Sequence, residues 1–242
     1  MRLQVLGSGD AFGNGGRFQS CYLLDTGSTR CLIECGASSL ISMKRYGVDP
    51  NSISLILVSH MHADHFGGLP FFLLDAQFSK RRSPLTVVGP EGIRERLPQL
   101  MELSFPGSSS TVQKYDLSIL EWTAGQTMDL GLLSATPYEV CHGAVRTFAL
   151  RLAIDGQIVS YSGDTEWCDG LAEAARGADL FLAEAYSYEK PIKGHLNVKS
   201  LEEQLPTLGV KRLVLTHSSP DMLSRIDTIG HEAAEDGKII EL

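Results

Sequence analysis

The chain has 242 residues, of which 43% are hydrophobic and 21% are charged. This composition is typical of a globular protein and excludes a disordered, collagen-like or coiled-coil chain, while the formal net charge of −8 disfavours general binding to nucleic acids. The chain lacks the apolar run of about 18 residues that a transmembrane helix needs, and its five cysteines form no disulfide framework, so we expect a cytoplasmic protein without a membrane segment. Because no linker or repeat interrupts the sequence, residues 1–242 are predicted to form a single domain.

The first half of the chain contains predicted strands followed by alternating strands and helices. Apolar runs and alternating patterns predict strands over residues 3–6, 21–25, 30–34, 54–59 and 85–88. Apolar residues at helical spacing predict helices over residues 38–45, 66–74 and 91–103. The best candidate for a local basic patch is Lys80-Arg81-Arg82, which we interpret as a solvated loop.

The second half repeats this order of elements. Residues 146–154 and 157–161 are predicted to form a hairpin, because Asp155-Gly156 is a typical two-residue turn. Further strands are predicted over residues 180–183 and 213–216, with helices over 171–176 and near Ser200, where Ser200 and Glu203 fit a capping box. Such an order favours an α/β architecture of two sheets packed face to face with helices outside.

The segment Ser59-His60-Met61-His62-Ala63-Asp64-His65 holds the densest set of potential metal ligands and directly follows a predicted buried strand. In an extended chain His60 and His62 point to the same side, because side chains alternate with a period of two. The turn that follows begins a helix, so Asp64 and His65 can face a second point nearby. Imidazole and carboxylate groups at two points suit two divalent ions, with Zn²⁺ favoured ahead of Mn²⁺ or Fe. A polar loop with incidental histidines is the disfavoured alternative.

This segment, with Gly67-Gly68 after it, resembles the H-x-H-x-D-H motif of the metallo-β-lactamase superfamily. That superfamily also has a histidine after a later strand, an aspartate in a Ser-Gly-Asp turn and a last histidine after a late strand. The sequence offers His142, Asp164 and His217 in this order, each after a predicted strand. The resemblance spans most of the chain and implies an α/β fold, the four-layer αβ/βα sandwich, and a dinuclear metal hydrolase.

The resemblance also implies two ligand sets that share one carboxylate. One metal would be held by His60, His62 and His142, the other by Asp64, His65 and His217, and Asp164 would bridge both. A pair of divalent ions about 3.5–4 Å apart can hold a bridging hydroxide at neutral pH, and this hydroxide would be the nucleophile.

Details of the sequence narrow the resemblance to one branch of the superfamily. The segment His65-Phe66-Gly67-Gly68-Leu69-Pro70 is similar to the extension found in ribonuclease Z and its phosphodiesterase and arylsulfatase-like relatives. In those relatives a histidine at the position of His195 contacts the phosphoryl oxygen or the leaving group. The resemblance therefore implies that His195 and Asp64 are catalytic and that Asp64 orients the nucleophile. Glu184 and Tyr186 are expected to bind substrate.

Two departures disfavour ribonuclease Z itself. The interval between His142 and Asp164 leaves no room for the arm with which those enzymes clamp tRNA. The His-Glu-Ala-Thr segment of that group corresponds here to Ala183-Glu184-Ala185-Tyr186, so its first histidine is missing. A class B β-lactamase is also disfavoured, because such enzymes bind one metal through a cysteine and are exported, whereas this chain has Asp164 and no predicted signal peptide.

We therefore expect a zinc-dependent phosphodiesterase that acts on a small molecule, with cyclic or nucleotide-derived diesters among the candidates and extended nucleic acid disfavoured. The alternatives within enzymes are an armless tRNA 3′-processing endonuclease and a sulfatase, lactonase or thioester hydrolase. A non-hydrolytic metal-binding accessory protein is the alternative from another class. A homodimer is a candidate assembly, with the helix over residues 66–74 as a possible interface, although we favour this helix as part of the core.

Overall fold

The computed structural model describes residues 1–131 and 133–242. Contacts within the chain divide it into two compact units. The first unit comprises residues 1–7, 18–122 and 236–241, and the second comprises residues 8–17, 123–235 and 242. The organisation into a single domain stays a prediction.

Both units combine strands with helices. The strands, in chain order, are β1 (Arg2–Gly7), β2 (Cys21–Asp25), β3 (Arg30–Ile33), β4 (Leu55–Leu57), β5 (Leu85–Gly89), β6 (Leu117–Glu121), β7 (Met128–Asp129), β8 (Ser134–His142), β9 (Val145–Ile154), β10 (Gln157–Tyr161), β11 (Leu180–Glu184), β12 (Leu213–Thr216), β13 (Glu232–Ala233) and β14 (Ile239–Glu241). The helices are α1 (Ser39–Arg45), α2 (Ala63–Phe66), α3 (Leu69–Phe78), α4 (Ile93–Ser104), α5 (Asp169–Ala175), α6 (Val198–Leu208) and α7 (Pro220–Leu223).

The described residues of the first unit form a seven-stranded mixed sheet in the order β14-β1-β2-β3-β4-β5-β6. Strands β3 to β6 are parallel neighbours, whereas β1 pairs antiparallel with β14 and β2. All three residues of β4 are buried, as its continuous apolar sequence predicts for a strand covered on both faces. Because β3 and β4 are parallel, the residues that follow them lie at the same edge of the sheet.

In the second unit the described residues form another seven-stranded mixed sheet, in the order β13-β12-β11-β10-β9-β8-β7. Strands β10 to β13 are parallel, and β8 and β10 are each antiparallel to β9. The predicted hairpin of β9 and β10 is confirmed, with Asp155 at φ 50° and Gly156 at φ 77° as its turn requires. Strands β8, β10, β11 and β12 thus end at one edge of the sheet.

The predicted helix over residues 66–74 is divided into α2 and α3 at Gly67-Gly68. A Cβ atom on Gly68 would lie 2.2 Å from the carbonyl oxygen of Gly36, so only glycine allows this close approach of two backbone segments. Leu69 and Leu73 of α3 are fully buried, which confirms the interpretation of this helix as part of the core.

The capping box predicted at Ser200 is wrong. Helix α6 begins at Val198, and its cap is Asn197, whose side chain accepts a hydrogen bond of 2.9 Å from the backbone N–H of Ser200. Ser200 is therefore the third residue of the helix, where its N–H needs a partner that Asn197 supplies.

The interpretation of Lys80-Arg81-Arg82 as a solvated loop is wrong for its central residue. Arg81 is only 2% exposed, whereas Lys80 and Arg82 are exposed. The Arg81 guanidinium donates hydrogen bonds to four backbone carbonyl oxygens, those of Pro50, Ile53, Ser83 and Pro84.

Among the described residues, no helix combines the length and apolar character that a membrane crossing requires.

Candidate metal centre

In the first unit, potential metal ligands cluster after the carboxyl end of β4. The rings of His60 and His65 are fully buried, and their centroids lie 4.1 Å apart. His60 Nε2 lies 3.1 Å from Nδ1 of the exposed His62, and His65 Nε2 lies 3.2 Å from Asp64 Oδ2. The structure therefore brings together the four site residues that the sequence predicts in this unit.

Glu34, which the sequence analysis missed, supports this cluster from the end of β3. Both carboxylate oxygens lie 3.2 Å from the backbone nitrogen of Ser59, whose N–H donates to them, and Oε1 lies 3.3 Å from His65 Nδ1. Complete burial raises the pKa of Glu34, while contacts with His65 and Ser59 oppose this rise. Glu34 also adopts a φ of 67°, a strained conformation for a non-glycine residue. An acid that ends an apolar strand was the signal in the sequence.

In the second unit, Asp164 lies among three imidazole rings. Its Oδ2 atom is 3.6 Å from His217 Nε2, 3.9 Å from His142 Nε2 and 4.0 Å from His195 Nδ1. Asp164, His142 and His217 are each buried, and His217 has a φ of 55°. Asp164 follows β10, His142 ends β8 and His217 follows β12. Because these strands end at one edge of the sheet, residues distant in sequence meet there.

Glu184, at the end of β11, is 1% exposed and faces protein groups with both oxygens. Oε2 accepts hydrogen bonds from the backbone N–H groups of Thr165 at 2.8 Å and Leu196 at 3.2 Å. Oε1 is hydrogen-bonded to His195 Nδ1 and lies 3.4 Å from His217 Nδ1. The carboxylate thus orients two imidazoles, which differs from the substrate binding expected from the sequence.

The His195 ring stacks on Tyr186, with ring centroids 4.5 Å apart, and 20% of its side chain is exposed. Burial of His195 opposes its charged form, but the hydrogen bond and charge of Glu184, together with Asp164, outweigh burial and raise the pKa of His195. Burial raises the pKa of Tyr186, and the negative charges of nearby acids add to this rise. His195 therefore forms a stacked aromatic pair with Tyr186, next to Asp164.

A cavity of about 500 Å³ in the second unit opens beside His195. Its lining includes Trp167 and Lys193. Unlike the histidines described above, His231 belongs to none of the ligand clusters found among the described residues. It is hydrogen-bonded to Glu202 at 2.9 Å.

The donor chemistry of both clusters fits divalent metal ions. Ligand atoms of Glu34, His60 and His65 lie within 4.8 Å of one another in the first unit. The same holds in the second unit for four residues, Asp164, Glu184, His195 and His217. Where His60 Nε2 faces His62 Nδ1 at 3.1 Å, at most one proton fits between the two nitrogens, so at least one of them offers a lone pair. Imidazole with carboxylate is the donor set that zinc and related ions prefer.

Comparison with known proteins places this geometry in context. The sequence model of the family described as Anti-Pycsar protein Apyc1 matches residues 1–236. An uncharacterized protein of Mycobacterium tuberculosis strain H37Rv, Rv1339, is 33% identical over 248 residues, which cover 99% of this chain and 88% of that protein. Ribonuclease BN of Escherichia coli O6:K15:H31 is 27% identical over 253 residues, which cover 82% of this chain and 80% of that enzyme.

Two solved structures share the fold over almost the entire chain. The metallo-β-lactamase fold protein YhfI from Bacillus subtilis has a TM-score of 0.81 at 20% identity and covers 99% of each chain. The short form of human tRNase Z has a TM-score of 0.80 at 24% identity and covers 100% of this chain and 99% of its own. The predicted α/β class and the metallo-β-lactamase fold are thereby confirmed.

Proposed function

This chain belongs to the family of the Anti-Pycsar protein Apyc1, and from that premise we propose that it is a metal-dependent hydrolase of small phosphodiesters. The observation that carries the proposal is the position of Asp164, whose Oδ2 atom lies within 4.0 Å of three imidazole rings. A single carboxylate oxygen among several imidazoles is the arrangement that a metal-bridging aspartate needs. Ribonuclease BN, a relative at 27% identity, supports phosphodiesters as the substrate class.

We assign the metal ligands as the sequence predicts. His60, His62 and His142 form one set, Asp64, His65 and His217 form the other, and Asp164 is the shared ligand. Two divalent ions, with Zn²⁺ favoured, would supply a hydroxide nucleophile at neutral pH and positive charge to stabilise the attacked phosphoryl group.

Four residues are proposed to have roles besides metal binding. Asp64 is proposed to orient the nucleophile and accept its proton. His195 is proposed to contact a phosphoryl oxygen or to protonate the leaving group, since its partly exposed ring borders the cavity and Glu184 holds its Nδ1 atom. Glu184, whose oxygens are bound to protein groups, is a positioning residue, and Tyr186 supports the His195 ring by stacking.

The size of the cavity beside His195 favours a small substrate. A volume of about 500 Å³ lies within the usual range for small-molecule pockets. The Trp167 ring offers a surface on which a planar group can stack, and the Lys193 ammonium offers a positive charge. A net charge of −8 makes a tRNA-sized polyanion a poor substrate by comparison.

Turnover measurements test the proposed function. Protein stripped of metal and then loaded with Zn²⁺ or Mn²⁺ is expected to hydrolyse bis-p-nitrophenyl phosphate and to leave p-nitrophenyl acetate and p-nitrophenyl sulfate almost unchanged. A preference for the acetate or the sulfate would replace the proposal with an esterase or sulfatase function. The absence of turnover on every substrate, with metal bound, would favour a non-hydrolytic metal-binding protein.

The likeness to Ribonuclease BN favours one second candidate, a ribonuclease, which we specify from the sequence as an endonuclease that processes the 3′ end of tRNA. The same metal-loaded protein should therefore be assayed with a tRNA precursor. Cleavage at the 3′ side with a kcat/KM above that for small diesters would establish this second candidate instead.

A further inference from the structure

His142 makes a hydrogen bond that determines which of its nitrogens carries the proton. Its Nδ1 atom lies 2.6 Å from the carbonyl oxygen of Gly194. A carbonyl oxygen can only accept, so Nδ1 must be the donor. In the neutral ring Nε2 is then unprotonated, and this is the nitrogen that lies 3.9 Å from Asp164 Oδ2. The protein therefore presents the Nε2 lone pair of His142 toward the carboxylate.

Gly194 is held on both sides: Glu166 binds its N–H, and the His195 N–H, in the peptide that carries the Gly194 carbonyl, donates to the Ile192 carbonyl oxygen at 3.0 Å. The backbone N–H of Gly194 donates a hydrogen bond of 2.6 Å to Glu166 Oε1. Gly194 has a φ of 83°, and a Cβ atom at this position would lie 3.0 Å from His142 Nδ1. Glycine is therefore required both by the backbone conformation and by the close approach of the ring.

Glu166 is in turn attached to the strand that carries His142. Its backbone N–H donates a hydrogen bond of 2.8 Å to the carbonyl oxygen of Cys141, the residue before His142. Three hydrogen bonds therefore link Cys141 of β8 to Glu166, Glu166 to Gly194, and Gly194 to the His142 ring. The Glu166 residue is exposed, so a substitution there removes no core packing.

We propose that Glu166 is a positioning residue, which fixes the tautomer and orientation of His142 by holding the Gly194 carbonyl against Nδ1. The inference rests on the proposed function in one respect, namely that His142 is a metal ligand. The physical reason is general: a partner on the second nitrogen of a ligating imidazole fixes its tautomer and raises its basicity.

The first test uses metal-free wild-type protein and needs no variant. Long-range ¹⁵N–¹H correlation spectra of the imidazole groups distinguish a ring protonated at Nδ1 from one protonated at Nε2. His142 is expected to be protonated at Nδ1. Protonation at Nε2 would overturn the proposal, whatever the outcome of the turnover assays.

The second test compares Glu166→Ala, Glu166→Gln and Glu189→Ala. Glu189 is the matched control, because it is also exposed but pairs with Lys199 at 2.6 Å instead of Gly194. Glu166→Ala is expected to populate both tautomers of His142 and to weaken zinc affinity, measured by competition with a chelator, by about 10- to 100-fold. Glu166→Gln keeps an acceptor oxygen and should restore most of the affinity and the single tautomer.

Zinc affinity and a His142 tautomer that are unchanged in Glu166→Ala would overturn the proposal. An equal loss of zinc affinity in Glu189→Ala would do the same, because it would reveal a general effect of surface charge. A protein that binds zinc as expected but hydrolyses no phosphodiester would contradict the proposed function and leave the role of Glu166 intact.

Discussion

Several histidine rings near the candidate metal centre have a protein partner on one nitrogen, which fixes the orientation of the ring. Glu34 fixes His65, Glu184 fixes His195 and lies near His217, and the Gly194 carbonyl fixes His142. Buried imidazoles with such partners keep their geometry when substrate binds, which lowers the reorganisation that catalysis requires. Under the proposed function, His65, His142 and His217 bind metal, whereas His195 acts on substrate.

Replacement of His195 by alanine tests this separation. The variant is expected to keep its bound metal and to lose about 10²- to 10⁴-fold in kcat, the usual contribution of a general acid. The loss should be smaller for bis-p-nitrophenyl phosphate than for a diester with an alkoxide leaving group, because p-nitrophenolate leaves without a proton. Elemental analysis of the variant and kcat for both substrates are the measurements.

Two other results would change the assignment of His195. Equal losses for the two leaving groups would indicate contact with a phosphoryl oxygen. Loss of a metal ion would make His195 a ligand, and this would contradict the proposed role.

At the scale of elements, the sequence predicts the strands that are continuous apolar runs and the hairpin with an Asp-Gly turn. It failed where tertiary contacts decide the outcome. The capping role of Asn197 and the burial of Arg81 depend on contacts that local pattern does not encode. The clustering of His60, His62, Asp64 and His65 could be predicted because the motif after β4 is dense, whereas the hydrogen bonds of Glu34 and Glu166 to backbone N–H groups depend on positions that exist only in the fold.

Arg81 joins the loop after α3 to the turn before β4, and its replacement by lysine tests this connection. Lysine keeps the charge but cannot reach four carbonyl oxygens with one ammonium group, so buried acceptors lose their partners. We expect Arg81→Lys to lower the free energy of unfolding by about 2–4 kcal/mol, which lowers Tm by roughly 5–15 °C for a chain of this size. Thermal unfolding followed by circular dichroism is the measurement.

Arg82→Lys is the matched control, since Arg82 is the exposed neighbour of Arg81. Its Tm should stay within about 2 °C of wild type. Equal Tm values for the two variants would contradict a structural role for the buried guanidinium.

The hairpin of β2 and β3 gives a prediction about pH. Burial of Asp25 opposes ionisation of its carboxyl group. The Gly27 N–H at 2.8 Å and the guanidinium groups of Arg2 and Arg30, each at 3.1 Å, outweigh the effect of burial and lower the pKa of Asp25. A lowered pKa in the folded state means that the stabilisation is complete above the ordinary aspartate pKa and is lost as pH falls through the lower value. The Tm difference between wild type and Asp25→Asn should therefore be largest at neutral pH and shrink below about pH 4.

Asp155→Asn serves as the comparison for Asp25→Asn, because asparagine tolerates the left-handed conformation of this exposed turn residue. Its Tm should match wild type across the same pH range. A Tm difference for Asp25→Asn that is independent of pH would contradict the assigned ion pairs.

At the scale of the whole molecule, the proposed ligands come from distant parts of the sequence. Four of them follow β4 within one short segment, and three follow or end strands of the second sheet. The proposed ligands lie at strand ends, in the loops that follow them, or in the short helix α2 after β4, where side chains become available for binding. The fold can therefore keep the ligands while its other loops vary.

Metal analysis tests the proposed stoichiometry. Protein loaded with Zn²⁺ and freed of excess metal is expected to contain two ions per chain. Asp164→Ala should lose zinc and nearly all turnover, because a shared ligand neutralises both ions. His231→Ala, in which a histidine outside the clusters is removed, should retain two ions and wild-type turnover. One ion per chain in the wild type, or full activity of Asp164→Ala, would contradict the ligand assignment.

The pairing of β14 with β1 determines where the first sheet opens most easily. Residues 2–4 pair with residues 239–241, so this ladder closes a loop of almost the whole chain. Each doubling of loop length adds about 0.6 kcal/mol to the entropic cost of closure. Three residue pairs and two backbone hydrogen bonds between Val5 and residues 237–238 offset this cost, and Ile240 is the one buried residue of β14. We therefore expect β14 to detach before any other strand of this sheet, and transient detachment would offer the bare edge of β1 to another molecule as a site for edge-to-edge association.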